Sequence, residues 1–384
     1  MIILLMVRKN LFEKAFKENT IFLDERFLYP EFLPEKLIHR EKEIESLVYC
    51  FEPILKARKP LNVFLAGPTG VGKTVSVKYV LSQLEESFDR AKSIYLNCFE
   101  FNSRSSVLSS IANFVGAGIP RRGLATDEIF SHMLEGMKKC GFTPIVILDE
   151  VDQLLISESN AKILYDLLRV IEYEKQRIGI VMISNDTALV SKLDSRIRSS
   201  MAEQTILFEK YSPQELKAIL SSRAELAFIK NAISADVVGV AAAHAAKLGG
   251  DARVAIESLL KAGRIAEREN AKEVSIDHLK KAFEFVDSAS LLKGLPHLRE
   301  IEIALLKIIA ENQPIVSGKV YEIYSSSVEE PLKQRRLREI LLDLAKKNFI
   351  LIKSMMRGNK GNTKEFSLML PEKMLLAEIS KIKF

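Results

Sequence analysis

Leu61-Asn62-Val63-Phe64-Leu65-Ala66-Gly67-Pro68-Thr69-Gly70-Val71-Gly72-Lys73-Thr74 is the stretch that decides how this chain is read. Its first six residues are a short apolar run, and residues 67 to 74 match G-x-x-x-x-G-K-[ST] directly behind it. "VSVKYVLSQL" follows with helical spacing, so the motif lies where a strand hands over to a helix. Glycines there let the backbone curl until successive N–H groups and the helix N-terminus face phosphate oxygens. Lys73 then reaches the β/γ-phosphates and Thr74 offers a hydroxyl to Mg²⁺. Gly67, Pro68, Thr69, Gly70, Val71, Gly72, Lys73 and Thr74 are therefore candidate nucleotide-binding residues, with ATP or ADP and Mg²⁺ as the cofactors.

Four further apolar runs follow the loop: "SIYLNC", "PIVILDE", "IGIVMIS" and "TILFE". Runs this short, rich in Val and Ile without polar alternation, predict strands buried on both faces, hence a five-stranded parallel sheet flanked by helices. "PIVILDE" ends in Asp149 and Glu150. A nucleotide site needs such carboxylates: Asp149 to hold Mg²⁺ through its water shell, Glu150 to polarise an attacking water. "IVMISND" ends in Asn185, whose amide would position that water; the plainer reading is an Asx turn. Arg253 in "GGDARVAIESLL" and Arg196 in "LDSRIRSS" are candidates for neutralising transition-state charge, although an isolated Arg at a helix start is ordinarily a surface charge.

At 384 residues the chain exceeds one ordinary core, and its 47% hydrophobic content allows each of two or three domains its own. The opening "MIILLMV" reaches Arg8 after seven apolar residues, too few for a signal peptide core with its flanks or for a membrane span. Cys50, Cys98 and Cys140 lie far apart with no metal-ligand spacing, which predicts reduced core residues of an intracellular protein. Ser212-Pro213-Gln214-Glu215 carries the signals of a helix start and opens an all-helical stretch running to about Asp287. "SASLLKGLPH" reads as a linker into a third unit with helices near "HLREIEIALLKIIAEN" and "PLKQRRLREILLDLAKKN", then strand-like "FILIKSM" and "KEFSLML".

Charge is partitioned unevenly. Residues 331–384 hold 13 basic and 5 acidic side chains, a net of +8 in a chain whose total is +6, which suggests a polyanion-facing end. Taking Leu337, Ile340, Leu341 and Leu344 as a buried stripe at helical spacing places Arg335, Arg338 and Lys346 outward. Pro331 is expected at the first turn, which puts Lys333, Gln334, Arg335 and Arg336 where a recognition helix meets base edges. Arg357, Lys360 and Lys364 ride on the turn of a basic hairpin, so helices followed by this hairpin read as a winged helix.

Phosphate loop, "LDEVD", strand-end Asn185, "LDSRIRSS", "FEKYSPQEL" and "GGDAR", in this order, resemble an AAA+ ATPase of the initiator clade. More closely, the chain resembles the archaeal replication initiators related to eukaryotic origin recognition complex subunits and to the loader that helps place the replicative helicase. The resemblance spans about Phe32 to the end. It implies an α/β AAA+ module over 1–210, an all-α lid over 211–288 and a winged-helix DNA-binding domain over 289–384. It also implies that Arg40 borders the nucleotide base, that Asn185 is sensor 1 and Arg253 sensor 2, and that Arg196, favoured by its place in the motif over the also eligible Arg198, is the arginine finger. An initiator insertion within 113–127 would present Arg121 and Arg122 to DNA backbone.

The implied function is an ATP-regulated origin-binding protein, a weak ATPase using hydrolysis as a switch, acting on the chromosome in the cytoplasm and not at a membrane. Its partners would be duplex origin DNA, a paralogous initiator subunit and the replicative helicase. A signal-transduction ATPase with a winged helix as protein-interaction module is the alternative; a hexameric remodeller lacks an obvious aromatic pore loop. The turn "RGNKGNT" departs from the glycine and bulky residue usual in the family's wing, so base preference is not inherited.

Overall fold

The computed structural model describes residues 20–120, 123–156, 158–174, 176–201, 204–328, 330–347, 349–356 and 362–381. It divides into two compact units, Met1–Ile276 and Asp277–Phe384. The first contains α1 (Glu41–Phe51), β1 (Val63–Ala66), α2 (Lys73–Ser87), β2 (Ala91–Asn97), α3 (Arg104–Phe114), α4 (Thr126–Lys139), β3 (Thr143–Asp149) and α5 (Asp152–Leu155). It continues with α6 (Glu158–Glu172), β4 (Gly179–Ser184), α7 (Leu189–Lys192), α8 (Ser195–Met201), β5 (Gln204–Leu207), α9 (Pro213–Ala227), α10 (Ala235–Lys247) and α11 (Ala252–Arg268).

All five apolar runs form strands, joined in the parallel order β2-β3-β4-β1-β5. Alternate residues of the three central strands β3, β4 and β1 enter opposite cores, whereas the edge strand β5 buries Ile206 and leaves Leu207 exposed. Phe64, Ala66, Val146, Leu148, Ile180 and Met182 pack into one cluster, shared with α3, α4 and α6. Val63, Leu65, Ile145, Ile147, Val181 and Ile183 pack into the other, with α1 and α2. Each of these side chains larger than alanine contributes about 1.5–3 kcal/mol by leaving water, which is why both faces of the central strands had to be apolar. β3, β4 and β1 are adjacent, so the residues after their carboxyl ends converge at the middle of one sheet edge, where ligands of open α/β sheets bind.

The helical stretch behind the sheet begins as expected. Ser212 Oγ accepts the Glu215 N–H at 3.2 Å, and the Glu215 carboxylate accepts the Ser212 N–H at 2.7 Å, with Pro213 opening α9.

The second unit contains α12 (Ile276–Gly294, beginning at the division), α13 (Glu300–Asn312), β6 (Ile315–Val316), α14 (Ser317–Ser327), α15 (Gln334–Lys346), β7 (Ile350–Met356), β8 (Asn362–Leu368) and α16 (Glu372–Ile379). Its sheet is antiparallel in the order β6-β8-β7, with Ile350 opposite Leu368 and Met356 opposite Asn362. Leu337, Ile340, Leu341 and Leu344 are buried in its core, as the stripe required, and Arg335 and Arg338 face outward; the Lys346 side chain lies outside what is described.

Three expectations change. "SASLLKGLPH" is not an open linker: helix α12 runs through it to Gly294, and Leu291 and Leu292 pack against the core of the second unit. Burial of these two leucines outweighs the small-residue composition that suggested a break. Pro331 does not open α15, which starts three residues later behind an extended Lys333; residues 330–333 are exposed and gain no packing that would extend the helix back to the proline. Of the cysteines, Cys50 and Cys98 are buried, whereas Cys140 is only half-buried.

Candidate functional site

The phosphate loop runs from β1 into α2 through backbone that favours glycine. Gly67 has φ +154° and Gly72 has φ +96°; a Cβ at Gly67 would stand 2.3 Å from the Phe208 carbonyl oxygen, and one at Gly72 2.7 Å from the Tyr211 hydroxyl. The curl therefore fits against β5 and its exit only without side chains. Gly70 faces the start of α11: its carbonyl accepts the Ala252 N–H at 3.1 Å, beside the Asp251 carboxylate. Loop and helical lid thus meet directly at the start of α11, whose second residue is Arg253.

Lys73 is 7% exposed, and its ammonium donates to Gly67 O at 2.7 Å, Pro68 O at 2.6 Å and Asn185 Oδ1 at 2.9 Å. Burial pushes its pKa down, and the charges of Glu150 and Asp149 oppose that shift. Asn185 in turn donates through Nδ2 to a Glu150 carboxylate oxygen, so one amide links the loop lysine to the acidic motif. Glu150 adopts φ +55°, the left-handed region, and burial raises its pKa above the ordinary carboxylate value.

Asp149 is buried; Oδ2 accepts Thr74 Oγ1 at 2.7 Å and the Tyr95 hydroxyl at 2.8 Å, and Oδ1 accepts the Glu150 N–H at 2.9 Å. A hydroxyl and a carboxylate side by side are hard oxygen donors of the kind a magnesium ion takes. The glycine curl and this oxygen pair together fit a metal–nucleotide phosphate chain. The structure brings Gly67, Lys73, Thr74, Asp149, Glu150 and Asn185 together, with Pro68, Thr69, Gly70 and Val71 completing the loop.

Arg40 is 5% exposed and stands beside the phosphate loop. Its Nε donates to Val71 O at 2.9 Å and its Nη2 to Glu209 O at 2.7 Å, while the guanidinium lies 3.9 Å from the Tyr211 ring centroid. It braces the phosphate loop to the exit of β5. Arg253 is exposed, 3.8 Å from Asp251 through Nε, and its charge is felt by Lys73. Arg196 lies on α8 with its side chain outside the described residues, and Arg198 is exposed on the same helix.

In the second unit Lys333, Gln334, Arg335 and Arg336 are all exposed at the start of α15. Arg336 pairs with Glu339 at 2.8 Å and Arg335 with the same carboxylate at 3.6 Å. Lys364 is exposed on β8, while Arg357, Lys360, Arg121 and Arg122 lie outside the described residues. Motif reading missed Tyr95, because its partner Asp149 is 54 positions away and only strand pairing joins them. A Tyr within the predicted strand "SIYLNC" was the one available signal.

Three family profiles match the chain. An AAA domain covers residues 57–189, a Cdc6 AAA+ ATPase-type lid domain 217–284, and a CDC6 C-terminal winged helix domain 301–378. Over 379 residues the chain is 35% identical to ORC1-type DNA replication protein 1 of Archaeoglobus fulgidus, covering 95% of this chain and 92% of that protein. It is 34% identical to the ORC1-type DNA replication protein of Pyrococcus abyssi, covering 94% and 90% respectively. Among solved structures, the Aeropyrum pernix ORC1 protein in complex with DNA superposes with a TM-score of 0.73 at 30% identity, covering 95% of this chain and 98% of that one.

Proposed function

The chain belongs to the archaeal ORC1/Cdc6 family of DNA replication proteins, and on that premise we propose that it is a replication initiator that binds origin duplex DNA under the control of a bound adenine nucleotide. One observation carries the proposal: a phosphate loop touched by its own lid, at Gly70 and Ala252, shares a chain with a winged helix whose α15 opens on exposed Lys333, Gln334, Arg335 and Arg336.

The loop N–H groups and Lys73 would cradle the phosphates, Lys73 exchanging its present acceptors for phosphate oxygens. Thr74 and Asp149 would hold Mg²⁺, which when bound neutralises phosphate charge. Glu150 would polarise a water that Asn185 orients, Arg253 would read the nucleotide from the lid, and Arg196 or Arg198 would serve a neighbouring subunit. Arg40 would keep the loop in shape close to the base. In the second unit, the start of α15 would enter the major groove, with Lys364, Arg357 and Lys360 along the adjoining backbone and Arg121 and Arg122 as a second contact. Recruitment of the replicative helicase and pairing with a paralogous initiator belong to the same proposal, as does residence on the chromosome. Among the described residues no helix is long and apolar enough to cross a membrane.

Footprinting of the full chain on duplexes from its host chromosome, over a salt series, tests this reading. A sequence-preferring footprint that survives moderate salt is expected. Uniform protection that vanishes as salt rises would refute origin recognition and leave only non-specific attraction.

A further inference from the structure

Tyr95 lies on β2 two residues before Asn97, which is in register with Asp149 at the end of β3. Its phenol reaches along the strand and donates to Asp149 Oδ2 at 2.8 Å. That oxygen also accepts Thr74 Oγ1 at 2.7 Å, and Oδ1 accepts the Glu150 N–H at 2.9 Å. A carboxylate offers about four lone-pair positions, so three are filled by donors fixed in β2, α2 and the acidic turn itself. The Lys78 ammonium on α2 lies over the Tyr95 ring, 4.1 Å from its centroid, in a cation–π contact.

The two side-chain donors on Oδ2 have different futures. Thr74 lies in the phosphate loop, where its hydroxyl is the group a nucleotide-bound divalent cation would claim. Tyr95 is outside the loop and has no such competitor. We propose that Tyr95 is a positioning residue that fixes the Asp149 carboxylate for a divalent cation carried in by the nucleotide, holding Oδ2 after Thr74 turns to the cation. The proposal rests on the nucleotide reading above. Without the phenol, Asp149 keeps a single backbone donor once Thr74 has turned. Its carboxylate is then free to rotate about the Cβ–Cγ bond, and the cation's water shell loses a fixed acceptor.

The test is binding of a fluorescent ADP to the full chain, titrated with Mg²⁺ and repeated in EDTA. In the unmodified protein Mg²⁺ tightens binding. In Tyr95→Phe the Mg²⁺ concentration giving half of that gain rises about tenfold, as for other groups that orient a metal ligand, while affinity in EDTA stays within about twofold. A Mg²⁺ midpoint equal to that of the unmodified protein overturns the proposal. So does an equal loss with and without Mg²⁺, which would make the hydroxyl a packing group. Should the unmodified protein bind no ADP, or bind it without regard to Mg²⁺, the nucleotide reading fails first and this one with it.

Discussion

Glu150 occupies a backbone conformation that few non-glycine residues adopt, φ +55°, immediately after the last residue of β3. Strain of this kind persists where surroundings over-determine it. Here Val151 N–H is held by Ile183 O at 3.0 Å and the Glu150 carboxylate by Asn185, so the turn is pinned by the end of β4 and the residue just past it. Burial raises the carboxyl's pKa, and a more basic carboxylate polarises water better. The expected outcome for Glu150→Gln is nucleotide affinity within a few-fold of the unmodified protein and turnover reduced by at least about 100-fold. Undiminished phosphate release would remove Glu150 from the chemistry. Asp149 and Glu150 were legible in "IVILDE", and Asn185 in "ISND", because each follows an apolar run. Arg40 was legible only as a neighbour of the nucleotide; that it braces Val71 and Glu209 depends on contacts 31 and 169 positions away.

Glu302 is what fastens one helix to another in the second unit. On α13 it is 1% exposed, and its carboxylate accepts the Arg299 N–H at 2.9 Å, Arg299 Nε at 3.0 Å and Lys347 Nζ, just past α15, at 2.7 Å. Burial alone would raise its pKa, but the hydrogen bonds from Arg299 and Lys347 outweigh burial and bring it down to about 2 from an ordinary 4.5. A depressed folded-state pKa stabilises the fold fully above the unfolded-state value, and that contribution is lost as pH falls through the folded one. The unfolding midpoint of the second unit is therefore expected to drop progressively between about pH 4.5 and pH 2, a slope that Glu302→Gln flattens. Thermal unfolding of both proteins across that window checks it; identical slopes would refute the role. The buried stripe of α15 was readable from periodicity, whereas the clamp at its end joins residues 45 apart and left no local sign. Strand β6, two residues long, was too short to show any period.

At the scale of the whole molecule, the net positive charge and the parallel sheet are distributed separately. Residues 331–384 hold the net +8, while the sheet and its two clusters lie in the other unit. DNA affinity is accordingly expected to depend on a few exposed cations and to fall steeply with salt. Changing Lys333, Arg335 and Arg336 together to Ala should reduce the slope of log affinity against log salt by about two to three, near 0.9 for each lost phosphate contact. An unchanged slope in the triple variant would place the DNA contacts elsewhere.

Local chemistry was enough for the sequence by itself to determine the five strands, the loop between Gly67 and Thr74, the capped start of α9 and the inward face of α15. Each depends on neighbours within a turn or a strand, where apolar period, glycine and proline act directly. Tertiary structure alone decided which of these meet. The order β2-β3-β4-β1-β5 sets β3 between β2 and β4, and β4 against β1, although β3 and β4 follow β1 by some 80 and 115 residues, and that order puts the Tyr95 and Thr74 hydroxyls on the Asp149 carboxylate. It was likewise burial of Leu291 and Leu292, not their local composition, that carried α12 through a stretch reading as a linker. Such contacts are settled by the free energy of packing distant segments, and distance along the chain leaves no periodic trace of it.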